Sequence, residues 1–185
     1  MVDWPMEILI DDMVLRPVKI TPDLAREMYD VFISDVQNAR YFMPHGNYKS
    51  ADEVFASYSV RGQNSAGAMM YGIFRAGRLI GEVGFISINL RDNTADLGYW
   101  LRPDARGAGV IGKCLRALEA VGFAHLDVLY ITCDVENAAS RNVAVRAGYK
   151  LDGIRRAAIM WPDGTRHDEC MYSKLKSEWE KEIKK

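Results

Sequence analysis

The stretch with the most chemical content is RPDARGAGVIGK, residues 102–113, where Gly107, Gly109 and Gly112 precede a run of helical spacing. A helix start carries backbone N–H groups without partners and a partial positive charge, and glycine lets a ligand approach the main chain closely. The stretch therefore predicts a cradle for a diphosphate. The P-loop ending G-K-S/T is absent. The three glycines do satisfy G-x-G-x-x-G, but that dinucleotide fingerprint belongs in the first crossover of a parallel unit, with an acidic residue about 20 positions on. Here an antiparallel meander precedes it, and neither Asp127 nor Asp134 stands where that acid belongs.

Other reactive residues are scattered. Asn137 and Ser140 follow a strand-like run, where both types favour helix starts. Ser140 lacks the G-x-S-x-G elbow and a histidine partner, which argues against a nucleophile. Glu82, in apolar LIGEVGF, and Asp96, in ADLGYWL, are candidate bases; each also reads as an ordinary strand residue. Burial would raise the pKa of Glu82. Cys114, Cys133 and Cys170 are odd in number and never form C-x-x-C, so they predict neither disulfides nor zinc but small buried hydrophobes. His45, His125 and His167 form no metal-binding pair by spacing, and no metal is expected.

Around these residues the chain alternates element types. MVLRPV predicts a first strand, then TPDLAREMYDVFI a helix with Thr21 as N-cap, and SADEVFASYSV a second helix with Ser50 and Glu53 as a capping box. The intervening ARYFMPHGNYK reads as an irregular, aromatic loop. AMMYGIF, LIGEVGFISI and TADLGYWL predict an antiparallel meander. Ile111, Cys114, Leu115, Leu118 and Val121 mark a helix, VLYITCDV a buried strand, and AASRNVAVRAGY a short helix closed by Gly148. IRRAAIMWPDGTRHDECMYSKL is a hairpin turning at Pro162-Asp163-Gly164. The expectation is one α/β domain over residues 1–185, a mixed, mostly antiparallel seven-stranded sheet with helices on both faces, ordered β-α-α-β-β-β-α-β-α-β-β. Lys and Arg total 24 against 25 Asp and Glu, so the basic footprint of a nucleic-acid binder is missing. Asp3 and Glu7 sit where a secretory signal is basic, and no apolar run is long enough to span a membrane, so a cytoplasmic protein is expected.

Two motifs carry a family resemblance. LGYWLRPDARGAG resembles the GNAT acetyltransferase signature Q/R-x-x-G-x-G/A, running here through Arg106, Gly107, Ala108, Gly109, Val110 and Ile111. Ile111 departs from the usual Gly or Ala, with Gly112 one place late. CDVENAASRNVAVRAGYKLDGIRR resembles the segment E-N-x-x-S-x-x-V-x-x-K/R-x-G-F/Y-x-x-x-G of the RimJ/RimL-like branch, through Glu136, Asn137, Ser140, Val143, Arg146, Gly148, Tyr149 and Gly153.

The resemblance implies acetyl transfer from acetyl-CoA to a primary amine by direct attack. It implies that Tyr99, Trp100 and Leu101 run along the pantetheine arm in a gap between parted strands, with a backbone N–H near Leu101 facing the thioester oxygen. Arg106 to Gly112 would cradle the diphosphate, with Lys113 assisting. Asn137 would bond the pantetheine, and Ser140 would protonate or bond the sulfur. Asp96 holds a position where the family often has Glu, and Asp168 one that is often acidic, expected here to be structural. The acceptor would be a protein N-terminal α-amine, or a small aminoacyl, polyamine or antibiotic-like amine. Tyr41, Phe42, Met43, Pro44, His45 and Trp161 could wall it. A homodimer is a possibility the family suggests. The rival readings are a non-enzymatic acyl-CoA sensor using the same cradle and, further behind, a nicotinamide-dependent oxidoreductase.

Overall fold

The structure, a computed structural model, describes residues 4–42, 48–64, 67–161 and 163–184. A tight hairpin, β1 (Ile8–Ile10) and β2 (Met13–Arg16), opens the chain, turning at Asp11 with a positive φ of 50°. α1 (Pro22–Ser34) starts where expected: Thr21 Oγ1 accepts the Leu24 N–H at 3.2 Å, and Pro22 occupies the first turn. α2 (Val36–Phe42) and α3 (Ala51–Asn64) follow. Ser50 Oγ accepts the Glu53 N–H, while the Glu53 carboxylate reaches the N–H of Lys49 rather than that of Ser50.

The meander is β3 (Met69–Arg75), β4 (Arg78–Asn89) and β5 (Thr94–Leu101). Its first turn places Ala76 and Gly77 both at positive φ, the twist that suits a two-residue hairpin. A short 3-10 turn leads into α4 (Val110–Gly122), β6 (Val128–Asp134), α5 (Ala138–Arg146), β7 (Lys150–Met160), β8 (Arg166–Leu175) and α6 (Lys176–Ile183). The sheet order is β1-β2-β3-β4-β5-β6-β8-β7, antiparallel except for β5 with β6.

Three expectations need correcting. The sheet has eight strands rather than seven, because ILI pairs back on MVLR across a two-residue turn. ARYFMPHGNYK is not irregular from its start: α2 carries through Phe42. Met43, Pro44 and His45 lie outside the described residues, as does Pro162 of the late turn. The chain does not end its regular structure at the late hairpin: Leu175, the last residue of β8, runs directly into α6, whose Glu178 carboxylate accepts the Leu175 N–H at 3.1 Å.

Strand alternation sends side chains to two clusters. On one face Tyr71, Val83, Phe85 and Leu97 meet Leu115 and Leu118 of α4, with Ala144 of α5 and Trp179 of α6 joining them. On the other, Phe74, Leu79 and Trp100 meet Ala25, Met28 and Phe32 of α1 and Val54 of α3. All three cysteines are buried. The Asp168 carboxylate accepts the Ala157 N–H at 2.8 Å where β7 bulges, so it shapes the strand.

Lys174 ties the first face together. Its side chain is 2% exposed, and Nζ bonds the Ala147 carbonyl at 2.9 Å, Glu119 Oε2 at 3.1 Å and Glu182 Oε2 at 2.6 Å. It thus joins β8 to α4, to the end of α5 and to α6. Burial raises the Glu119 carboxyl above the ordinary range, against the pull of Lys174. Lys174→Ala leaves that carboxylate buried and unpaired, and urea unfolding should show a loss of about 3–5 kcal/mol. Lys174→Met combined with Glu119→Met should recover most of it; a single variant as stable as the native chain would refute the staple.

Candidate active site

The site begins where the sheet divides. β5 and β6 pair only from Thr94↔Val128 to Leu97↔Ile131. Beyond that, β5 stays with β4 as far as Gly81↔Leu101, and β6 stays with β8 as far as Asp134↔Glu169. The parallel pair therefore parts toward its carboxyl ends and opens a cleft of about 1560 Å³. Arg102 donates its N–H to Ile80 of β4 at 2.9 Å. By strand alternation, the peptide groups of Leu101 and Tyr99 are turned away from β4, toward the opening.

The start of α4 lies at the mouth. Gly107 and Gly109 sit at φ 79° and 71°, and a Cβ on either would meet no atom within 4 Å. Gly109 is the N-cap and offers no side-chain acceptor. The first intrahelical bond is Lys113 N–H to Gly109 C=O, so the amides of Val110, Ile111 and Gly112 have no partner within the helix. The side chain of Ile111 is buried in the core beside Val110, and both residues also border the cleft. Ala108 is exposed between the glycines and does not line the cleft. Arg106 does line it, with its guanidinium engaged: it donates to the Leu101 carbonyl at 2.7 and 3.1 Å and pairs with Asp35. Lys113 turns away, pairing with Asp11 of the first hairpin at 2.7 Å.

On the α4 and α5 side, Tyr99 Oη lies 2.9 Å from Ser140 Oγ. Asn137 caps α5, its Oδ1 accepting the Ser140 N–H at 3.1 Å, which leaves Nδ2 toward the cleft. Burial raises the Tyr99 phenol, opposed by the Ser140 bond. Burial also pushes the Cys133 thiol up to about 11. Ser140 is thus placed beside a neutral phenol and a neutral thiol, with no base to activate it.

On the opposite, α1 and α3 side, Glu82 is 2% exposed, and its Oε2 accepts the Trp100 indole N–H at 2.6 Å and the Tyr58 hydroxyl. Farther along, the Arg40 guanidinium lies 4.6 Å over the Trp161 ring, whose other neighbour is His167, stacked at 3.7 Å and 9°. Tyr41 meets Trp161 edge-on at 5.9 Å. Trp161 Nε1 and Arg40 Nε are buried without hydrogen-bond partners. Asp134, at the end of β6, also lines the cleft.

The fold thus gathers Glu82, Tyr99, Trp100, Leu101, Asn137 and Ser140 around one cleft with the α4 start. Asp96 is not among them. It pairs with Tyr130, where β5 and β6 are still joined, and lines a separate shallow depression with Thr132 and Arg155. Tyr58, Arg40, Asp134 and His167 were missed as site residues. None belongs to a site motif: Asp134 and His167 enter the sequence reading only as residues whose position or spacing fits no site, and all four come near the cleft's other groups only through the fold. Asp134, Glu136 and His167 also form a donor set, within 4.8 Å of one another, that could hold a metal ion. No spacing signals it, because the three come from β6, a loop and β8.

Among the described residues the mixed sheet opens at its one parallel pair, with a helix start that lacks a side-chain cap at the opening. The chain belongs to the acetyltransferase (GNAT) domain family, whose sequence model matches residues 12–150. It is 37% identical over 110 residues to the ribosomal-protein-serine acetyltransferase of Escherichia coli (strain K12), covering 58% of this chain and 61% of that one. The chain thus spans about three-fifths of the length of the first curated relatives it matches. The fold is shared with the microcin C7 self-immunity acetyltransferase MccE, solved with acetyl-CoA and AMP: TM-score 0.77, 24% identity, 89% of this chain and 93% of that one. It is shared too with RimL, the ribosomal L7/L12 α-N-protein acetyltransferase solved with coenzyme A: TM-score 0.79, 22% identity, 91% and 97%.

The position of Asp96 makes a prediction. Burial raises its carboxyl above the ordinary value, partly opposed by Arg155. A raised carboxylate favours the fold below its unfolded pKa, and that benefit is lost as pH rises through the folded value. Asp96→Asn should therefore raise Tm by about 2 °C at pH 7 and give no gain below pH 4. A fall in Tm at pH 7 would contradict this placement.

Proposed function

We propose that this chain transfers the acetyl group of acetyl-CoA to a primary amine, with an α-amine at a protein N-terminus as the acceptor. The observation that carries the reading is the parting of β5 from β6 with the uncapped start of α4 at its mouth. The open space over Gly107 and Gly109 fits a diphosphate, which no side chain there would obstruct. When bound, the cofactor supplies an activated acyl thioester.

This chain's residues do the rest. The backbone of Arg106, Gly107 and Gly109 through Gly112 holds the diphosphate, Ala108 only spacing the two glycines, and the amides of Ile111 and Gly112 serve as donors despite the departure from the family motif. Lys113 contributes only if it leaves Asp11. Tyr99, Trp100 and Leu101 present main-chain groups to the arm, and the Leu101 N–H is aimed at the carbonyl oxygen. Asn137 Nδ2 bonds the arm. Ser140, coupled to the Tyr99 hydroxyl, provides a proton for the departing sulfur. Glu82 takes the amine's proton from the opposite side of the sheet, directly or through water. Acid and base thus approach from the two faces of one parted sheet. The choice of a protein α-amine is supported by the relative from Escherichia coli.

The family match and the meander before α4 leave a nicotinamide site without support. A non-enzymatic acyl-CoA sensor remains the contrasting reading, and turnover distinguishes it. Among the described residues no helix is long and apolar enough to cross a membrane.

Free thiol released from acetyl-CoA should appear with peptides of some N-terminal residues in a panel that also holds polyamines, aminoglycosides and aminoacyl nucleotides. Ser140→Ala and Glu82→Gln should each lower kcat by roughly 10²–10⁴-fold. A protein that binds acetyl-CoA yet releases no thiol with any amine would be a sensor instead. Gly109→Val places a β-branched residue at φ 71°, a strain of about 1–2 kcal/mol that the turn relieves by leaving its ligand-binding shape, and should raise KM for acetyl-CoA by roughly 5–30-fold. Unchanged affinity would move the cradle elsewhere.

A further inference from the structure

Asp134 stands out among the carboxylates of the cleft. It is 4% exposed, and a buried carboxylate is costly unless its oxygens are bonded. Oδ1 accepts the Glu136 N–H at 2.8 Å. Oδ2 accepts no hydrogen bond, although His167 Nδ1 is 3.1 Å away. Glu82, by contrast, already has two donors on Oε2.

Its placement adds to this. Ile131 and Cys133 point into the first-face core, so the alternation of β6 sends Asp134 to the other face, that of Trp100 and Glu82. The cofactor-side groups Tyr99 and Ser140 stand on the core side, and Asp134 looks across the parted strands from the side proposed for the acceptor. Glu136 Oε2, 4.0 Å from His167 Nδ1, adds negative charge, and the stack on Trp161 holds the imidazole in place. Glu169, across from Asp134 on β8, is already paired with Arg155. The buried oxygen with spare capacity at this end of the cleft is therefore Asp134 Oδ2, and the group that suits it is a cation with several N–H donors.

We infer that Asp134 is the receptor for the acceptor's ammonium group, holding the amine beside the thioester before its proton is removed. The inference rests on the N-acetyltransferase reading and deepens it. A charge-assisted bond to a buried carboxylate corresponds to roughly a 10–100-fold preference for the ammonium form of a ligand.

The test is a binding cycle by calorimetry, with a serine-initiated peptide and the same peptide carrying a hydroxyl in place of its N-terminal amine. The native protein should bind the amine peptide roughly tenfold or more tightly, and Asp134→Asn should bind the two alike, with its acetyl-CoA affinity unchanged. The unchanged acetyl-CoA affinity shows that the variant keeps its fold, so a lost preference in it is not lost structure. An Asp134→Asn protein that keeps the native preference overturns the inference while leaving acetyl transfer standing, as does a native protein that binds both peptides equally. Loss of the native preference on adding EDTA also overturns it, and would make Asp134, Glu136 and His167 a metal site. Loss of acetyl-CoA binding in the native protein would instead fell the functional reading itself.

Discussion

The structure turns on a pair of parallel strands that hold together for four residues and then separate. Parallel neighbours normally stay paired because each unpaired main-chain group costs free energy once buried. Here β5 and β6 each keep their outer neighbours, β4 and β8, and give up only each other. The result is a slot bordered by main-chain groups that need partners, and an extended ligand with amides of its own can supply them. Every site residue is placed relative to that slot: α4 begins at its mouth, α5 closes one side, and α1 and α3 carry the other.

The slot also separates chemical roles by face. Side chains alternate along β5, so Tyr99 turns toward Ser140 of α5 while Trp100 turns toward Glu82 and Tyr58. Neighbouring residues on one strand thus belong to opposite sides of the cleft. Cys133 and Asp134 repeat the division on β6. In the proposed reaction, Ser140 as proton donor and Glu82 as base would therefore act on one acyl group without meeting and neutralising each other. Lys174 supports this arrangement from a distance, because its bonds hold α4, the end of α5 and α6 against the sheet.

Charge pairing trims the set of groups available at the mouth. Arg106 and Lys113, both basic and next to the glycines, are engaged with Asp35 and Asp11. What remains for an anion is main chain, the uncapped amides of the first turn of α4. Such a cradle needs no lysine, and it tolerates Ile111 because the first turn directs that side chain into the core while its amide stays at the surface.

The sequence by itself determined most of the element types, from the first helix through the late hairpin, and the two motifs that carry the family resemblance. Those are local matters: glycine at positive φ, Thr21 at a helix start and alternation along a strand depend on residues a few positions apart. It also singled out Tyr99, Asn137 and Ser140 through the motifs and Glu82 through its apolar strand, and the fold brings these four to one cleft. Tertiary structure alone decided the rest. Asp96 and Glu82 look equivalent on paper, yet one lies where β5 and β6 are still paired and the other at the opening. The neighbours of Asp134 also needed the fold, because they come from residues far apart in the chain, whereas the short β1–β2 hairpin and α6 are local and simply carry too few patterned residues to stand out. Spacing cannot show that Asp134 meets His167 across two strands, or that Arg40 covers Trp161. Burial and the parting of strands are properties of the packed sheet, and they determine which carboxylate has an oxygen to offer.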